Sequence, residues 1–183
     1  MGILRELSPP AGPRLPETPS RQAGTARKYY LSINMKIATE IALQATQDRI
    51  WNILIDFPAY PEWNRLMKAV RGQAAPDAPL EVDLHYWGKP VQTVAGRITG
   101  FMAPKYLSWS YAHRLGAWFL NSEHVLRLKE KEDGRVIFFQ EVYHTGLGLR
   151  FRRRDVEHYV RLSLDKLNDD LKHRLSEAGA SAG

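Results

Sequence analysis

Cysteine is absent from all 183 residues. Disulfides, thiolate nucleophiles and cysteine metal sites are excluded together, and the chain suits a reducing compartment such as the cytoplasm. No apolar run approaches the roughly 18 residues of a membrane-spanning helix. Proline and arginine stand near the N-terminus, where a secretory leader would carry its apolar core. A cytoplasmic protein without a membrane span is the expectation. The six histidines show no i,i+4 spacing and the acidic residues form no cluster, so no metal centre is expected. No serine sits in a GxSxG elbow and no glycine-rich phosphate loop is found. Nucleophilic serine chemistry and nucleotides are thereby disfavoured, and no cofactor is expected.

What is present is the balance of a globular domain: 44% hydrophobic and 25% charged residues argue against disorder of the whole chain. The formal charge of +6 raises the question of a nucleic-acid partner, so its distribution matters. Residues 1–34 contain five Lys/Arg and two Asp/Glu, a net +3. The remaining 21 basic and 18 acidic residues also give +3, so half the excess belongs to the first 34 positions. The one dense basic cluster beyond them is Arg150, Arg152, Arg153 and Arg154. Its commonest meaning is a solvated face, and the functional alternative for Arg152, Arg153 and Arg154 is an acidic partner. No nucleic-acid partner is expected.

Five prolines fall before residue 27, among Gly, Ser and Thr and without apolar periodicity, which predicts a disordered tail over 1–34. Met35 directly precedes the first strand-like run and is a candidate natural start. The folded domain is expected over 35–177 and a short disordered end over 178–183. Ile37, Thr39, Ile41 and Leu43 alternate with Lys36, Ala38, Glu40 and Ala42, a half-buried strand. A helix follows, with Thr46 as N-cap, Asp48 in the first turn and Ile50, Trp51, Leu54 and Ile55 on one face. Phe57-Pro58 ends it, and Tyr60 to Asn64 reads as a second short helix or turn, with Trp63 and Asn64 capping it against a sheet. Six strands are predicted next, at Met67–Gly72, Leu80–Trp87, Val91–Phe101, Tyr106–His113, Trp118–Lys131 and Arg135–Thr145. Val156, Tyr159, Val160, Leu164, Leu167, Leu171 and Leu175 then mark one side of a long amphipathic helix. A strand, a helix pair, a meander and a long helix predict an α+β helix-grip fold: a curved antiparallel sheet wrapped on the terminal helix with a ligand cavity between them.

Five segments in order carry a family resemblance. They are Asp56-Phe57-Pro58-Ala59-Tyr60-Pro61-Glu62-Trp63-Asn64, Leu107-Ser108-Trp109, Glu123-His124 with Leu126 and Leu128, Gln140-Glu141-Val142-Tyr143 with Gly146, and Leu167-Asn168 with Leu171-Lys172. Together they resemble the START-related SRPBCC superfamily, in its polyketide cyclase/dehydrase and lipid-transport branch, over about residues 36–176. The resemblance implies binding of a small hydrophobic or aromatic molecule, a lipid, quinone or polyketide, by a carrier or by a cyclising enzyme. Where the family has one residue between the aromatic and the glycine, this chain has His144 and Thr145, which suggests a bulge.

Trp109, Tyr111, His124, Leu126, Glu141 and Tyr143 are the candidate ligand-binding residues. His124 and Glu141 are the candidate catalytic pair, since a carboxylate raises a histidine's proton affinity while burial lowers it, poising the pair near neutrality. For each residue plain packing is the competing role. The pairing rests on a two-residue loop at Asp133-Gly134, which sets Glu132 against Arg135, Leu126 against Glu141 and His124 against Tyr143. The competing register, counted back from Gly146, turns Gln140 and His144 inward instead. Three functions follow: a carrier of a small apolar molecule, a cyclase or dehydratase using the His124/Glu141 pair, and an interaction domain working through its surface.

Overall fold

The computed structural model describes residues 34–85, 90–112, 116 and 119–180, without the side chains of 178–180. The expected tail, apart from Asn34, lies outside the described residues, as do Trp87, His113 and Trp118 at the predicted strand ends. Strand β1 (Asn34–Leu43) is followed by helix α1 (Gln47–Ile55), a 3₁₀ turn (Phe57–Ala59) and the short helix α2 (Tyr60–Trp63). Strands β2 (Met67–Gly72), β3 (Pro79–Leu84), β4 (Gln92–Met102), β5 (Tyr106–Ala112), β6 (Asn121–Glu130) and β7 (Val136–Thr145) come next, and helix α3 (Leu149–Ala180) closes the chain. Helix α3 therefore begins earlier than its periodic apolar stripe, and it continues into residues 178–180.

The strands form one antiparallel sheet in the order β1-β7-β6-β5-β4-β3-β2. The meander supplies β2 to β7 in sequence, and β1 adds to the far edge beside β7. On β1, Met35, Ile37 and Leu43 are buried with Thr39 and Ile41 half-buried, as the alternation requires. This curved sheet and its long terminal helix make the expected helix-grip α+β fold.

Local chemistry fixes the helix pair. Thr46 Oγ1 accepts from Arg49 N at 3.3 Å, and Asp48 stands in the first turn. The chain leaves helical geometry at Asp56, before Phe57-Pro58. Tyr60 donates its hydroxyl to the Leu54 carbonyl at 2.9 Å, tying α2 back to α1. Asn64 Oδ1 accepts from Leu66 N and Met67 N at 2.9 and 2.8 Å, which turns the chain out of α2 into β2. Buried Asp170 of α3 takes Arg65 Nε at 2.7 Å and Arg65 N at 3.0 Å, while Arg49 reaches the Leu175 carbonyl at 2.8 Å and Arg174 reaches Glu62 at 2.7 Å. The C-terminal half of α3 is thus stapled to the helix pair.

Two apolar clusters result. The larger joins Leu54, Trp51, Leu84, Ile98, Leu107 and Phe138 to Leu167 and Leu171 of α3. The smaller has five buried members, Met35, Ile37, Val142, Leu149 and Leu164. At about 1.5–3 kcal/mol for each fully buried aliphatic or aromatic side chain, the larger cluster carries most of the fold's hydrophobic stabilisation.

The register of β7 differs from the expectation. The loop between β6 and β7 has three residues: Lys131 N donates to Arg135 O at 2.8 Å, and Gly134 N donates to Lys131 O at 3.0 Å. Gly134 takes a φ of 78°, the left-handed position that ends a three-residue hairpin loop, and Asp133 Oδ1 accepts from Arg135 N at 3.0 Å. An Asp-Gly pair serves a two-residue or a three-residue loop, and here it serves the longer one. The pairing shifts by one residue, so that His124 faces Val142 and Leu126 faces Gln140. The expected bulge is not formed either. Both ladders of β7 run from Val136 to Thr145 without a register shift. Since side chains alternate with period two, this single step turns Gln140, Val142 and His144 inward and Glu141 and Tyr143 outward.

Candidate functional site

The inner face of the sheet is apolar except for one polar strip. Leu107, Trp109 and Tyr111 on β5 face Leu126, His124 and Ser122 on β6. Gln140 and His144 on β7 and Thr39 on β1 continue the strip. Trp109 stacks on the His124 imidazole, with ring centres 5.1 Å apart and planes 10° from parallel. The Tyr111 hydroxyl lies 3.1 Å from His124 Nε2, and its ring also stacks on the imidazole at 5.5 Å. The three candidates Trp109, Tyr111 and His124 thus form one aromatic column.

Glu141 and Tyr143 are not part of it. The Glu141 carboxylate accepts from Lys36 Nζ at 3.0 Å, from Arg127 at 2.6 Å and from the Tyr143 hydroxyl at 2.7 Å. Lys36 and Arg127 are exposed, so this network belongs to the outer face. Burial opposes ionisation of Glu141, but the hydrogen bonds from Tyr143 and Lys36 and the charge of Arg127 outweigh it and hold the carboxyl below its ordinary range. The expected His124/Glu141 pair is separated by the plane of the sheet. Burial, with a smaller contribution from His144, pushes the His124 imidazole down to about 3. Burial also takes His144 down to about 4. A base this weak lies far from the near-neutral value that makes proton transfer efficient.

A cavity of about 20 Å³, on the scale of one water molecule, lies between the sheet and α3. Asn64, Leu66 and Met67 line it from the α2–β2 corner, Trp109, His124, Leu126 and Gln140 from the sheet, and Ser163, Leu164 and Leu167 from α3; Glu141 also borders it, while its carboxylate is held by Lys36, Arg127 and Tyr143 on the outer face. Ligand pockets commonly measure about 300–1,000 Å³, so this one is closed down around its polar groups. Arg152, Arg153 and Arg154 do not line it.

Two of those polar groups are incomplete. Gln140 Nε2 donates to Leu164 O at 3.1 Å and to Asn168 Oδ1 at 2.6 Å, and Asn168 Nδ2 donates to Thr39 Oγ1 at 3.2 Å. These contacts fix the Gln140 amide orientation and leave its Oε1 buried without a partner. Asn64, its Oδ1 committed to two backbone amides, leaves Nδ2 buried without a partner. Asn64 and Gln140 are 2% and 1% exposed, so neither atom meets bulk water. An unpartnered buried polar group costs about 1–3 kcal/mol, and native structures hold few of them. His144 holds the Ser122 hydroxyl at 2.7 Å through Nδ1, and its Nε2 has no partner in either tautomer.

Three residues that matter here escaped the main sequence reading. Asn64 was expected as a cap, and it does turn the chain out of α2, but it also lines the cavity. Gln140 and His144 belonged to the competing register. Nothing in the local pattern of β7 could have chosen between registers, because its outward residues include Phe139 and Tyr143 and look as apolar as its inward ones. Among the described residues no group of three or more His, Asp or Glu side chains could hold a metal ion. Nor, among them, is any helix long and apolar enough to cross a membrane.

No protein-family model matches the chain, and no curated protein matches it in sequence. Solved structures do. A START superfamily protein from Mycobacterium smegmatis superposes with a TM-score of 0.64 at 17% identity, over 78% of this chain and 98% of that one. The ZhuI aromatase/cyclase from Streptomyces sp. R1128 gives 0.69 at 12% identity, over 82% and 99%. Norcoclaurine synthase from Thalictrum flavum gives 0.64 at 9% identity, over 81% and 98%. The chain has a START/SRPBCC-like fold.

Proposed function

We propose that this protein is a cytoplasmic carrier or binding module that encloses a small, mostly apolar molecule between the inner sheet face and α3. Its lipid, quinone or aromatic ligand lies against Trp109, Leu126 and Met67 and presents one neutral polar group to Asn64, Gln140 and His124. The observation that carries this reading is that two residues lining one cavity each hold a buried amide atom without a partner, Asn64 Nδ2 and Gln140 Oε1. One is a donor and the other an acceptor, and neither is satisfied by the fold. A hydroxyl, a carbonyl or an un-ionised carboxyl would complete them, whereas no cationic side chain lines the cavity to meet an anionic head.

The enzymatic alternative needs His124 and Glu141 together, and they occupy opposite faces of the sheet. Enclosure is therefore favoured over proton transfer. Arg152, Arg153 and Arg154 fit an anionic partner outside the cavity, a role separate from holding the ligand.

Native mass spectrometry of the purified chain tests for a co-purifying small molecule. In parallel, a panel of long-chain alcohols, quinones and polycyclic phenols is followed by melting temperature and tryptophan emission. A ligand at about 100 times its Kd stabilises the native state by about 2.7 kcal/mol, a rise of roughly 5–10 °C for a chain of this size. Trp109 emission should quench in step. A panel that moves neither reading, with no retained molecule, would sink the proposal.

A further inference from the structure

Among the described residues Phe151 is the most exposed large apolar side chain, at 78%, and Leu147, four residues earlier, is 41% exposed. They flank Leu149, which is fully buried with Met35, Ile37, Val142 and Leu164. Backbone hydrogen bonds from Arg150 N to Leu147 O and from Phe151 N to Gly148 O, at 3.1 and 3.2 Å, close this turn. The backbone then departs from helical geometry at Arg152, with φ −129° and ψ 19°, so the turn is set off from the main body of α3. The two apolar side chains are displayed by an anchored turn.

The charge around them is predominantly positive. Arg150, Arg152, Arg153 and Arg154 are all exposed. Their one ion pair among the described residues joins Arg152 to Asp155 at 3.8 Å, with both side chains mostly in solvent. Four guanidinium groups within five positions repel one another, and they stand where the helix amides already present positive charge. The patch is therefore complementary to a negatively charged surface.

We infer that this turn is a docking surface for an anionic lipid bilayer. Basic side chains surrounding a few apolar ones match a membrane interface: the arginines meet lipid phosphates, and Phe151 and Leu147 enter the boundary between headgroups and acyl chains. A single-stranded nucleic acid fits less well. Its binding sites stack successive bases on several aromatic rings along a groove, whereas Phe151 is the sole aromatic among the large exposed hydrophobics of the described residues. None of the four arginines, nor Phe151 or Leu147, lines the cavity, so the inference stands apart from the ligand reading.

The full-length chain is co-sedimented with vesicles of phosphatidylcholine alone and with vesicles one third phosphatidylglycerol, at low and physiological salt. Binding to the anionic vesicles alone, weakened by salt, is expected. R153Q/R154Q should lower the partition coefficient about 25-fold. F151S should lower it about ten-fold while keeping the salt dependence. Phe151→Trp should add an emission component quenched by brominated lipid. Both loss variants should melt with the wild type, since their side chains are exposed. Three results would overturn the inference: no binding to anionic vesicles, equal binding by wild type and R153Q/R154Q, or tighter binding to a single-stranded RNA oligomer that the same substitutions abolish.

Discussion

The two halves of α3 use one amphipathic pattern for different ends. From Leu167 to Leu175 the helix packs leucines into the larger core and is held by Asp170, Arg174 and the Leu175 carbonyl to the α1–α2 corner. From Leu149 to Leu164 it contributes Leu149 and Leu164, with Val156 and Val160 half-buried, to a cluster of five, and carries the arginines and Phe151 in solvent. Asp170, Arg174 and the Leu175 carbonyl thus fasten the C-terminal half to the helix pair. The difference teaches that the grip of this fold is exerted by the C-terminal half. The N-terminal half is left free to vary in chemistry, and it is where the unbalanced charge collects.

Leu171→Ala gives the largest expected effect. Leu171 is fully buried in the larger core, so truncation should cost about 3–5 kcal/mol in urea unfolding. Val156→Ala in the other half should cost under about 1.5 kcal/mol. Equal losses would erase the distinction between the halves. Next comes acid. His144 is protonated with an ordinary affinity when unfolded but only near pH 4 when folded, so the unfolded state binds more protons in between. Its contribution is intact above about pH 6.5 and is lost as pH falls toward about 4, by on the order of 3 kcal/mol. Stability of His144→Gln against pH should be flatter over that window, and an unchanged slope would remove His144 from the acid response. The smallest effect is Gln140→Leu. This change deletes an orphaned acceptor along with two donated hydrogen bonds, so stability should move by about 1 kcal/mol or less. Affinity for a hydroxyl-bearing ligand should still fall about ten-fold relative to its hydrocarbon analogue. Equal losses for both ligands would show that Gln140 packs against the ligand without reading its polar group.

The fold was legible because it is written in long-range periodicity. Alternation in β1, the cap at Thr46, the Phe57-Pro58 break and the leucine stripe from Leu164 to Leu175 each name their element, and β2 is found where Met67–Gly72 was expected. The site was legible only on β5 and β6. Trp109, Tyr111 and His124 come together because both register candidates for β7 leave the β5–β6 face unchanged. Beyond that point everything hung on whether Asp133-Gly134 closes a loop of two residues or three, a choice between turn types that both accept a glycine with positive φ. One residue in that loop exchanged Glu141 for Gln140. It also converted an expected acid–base pair into a buried amide beside a surface carboxylate.

For the proposed ligand, the size of the cavity sets how fast it can arrive. A space of about 20 Å³ cannot admit an acyl chain or a ring system without displacing Met67, Leu164 or their neighbours first. Occupied and empty forms are then two populations separated by an opening step, and the apparent Kd is the intrinsic one divided by the fraction of open molecules. In stopped-flow mixing the observed rate should level off as ligand concentration rises, with a plateau that reports the opening rate and is the same for ligands of different shape. A substitution such as Met67→Ala, which enlarges the resting space, should raise that plateau and tighten binding together, so that the closed packing acts as a clock on exchange.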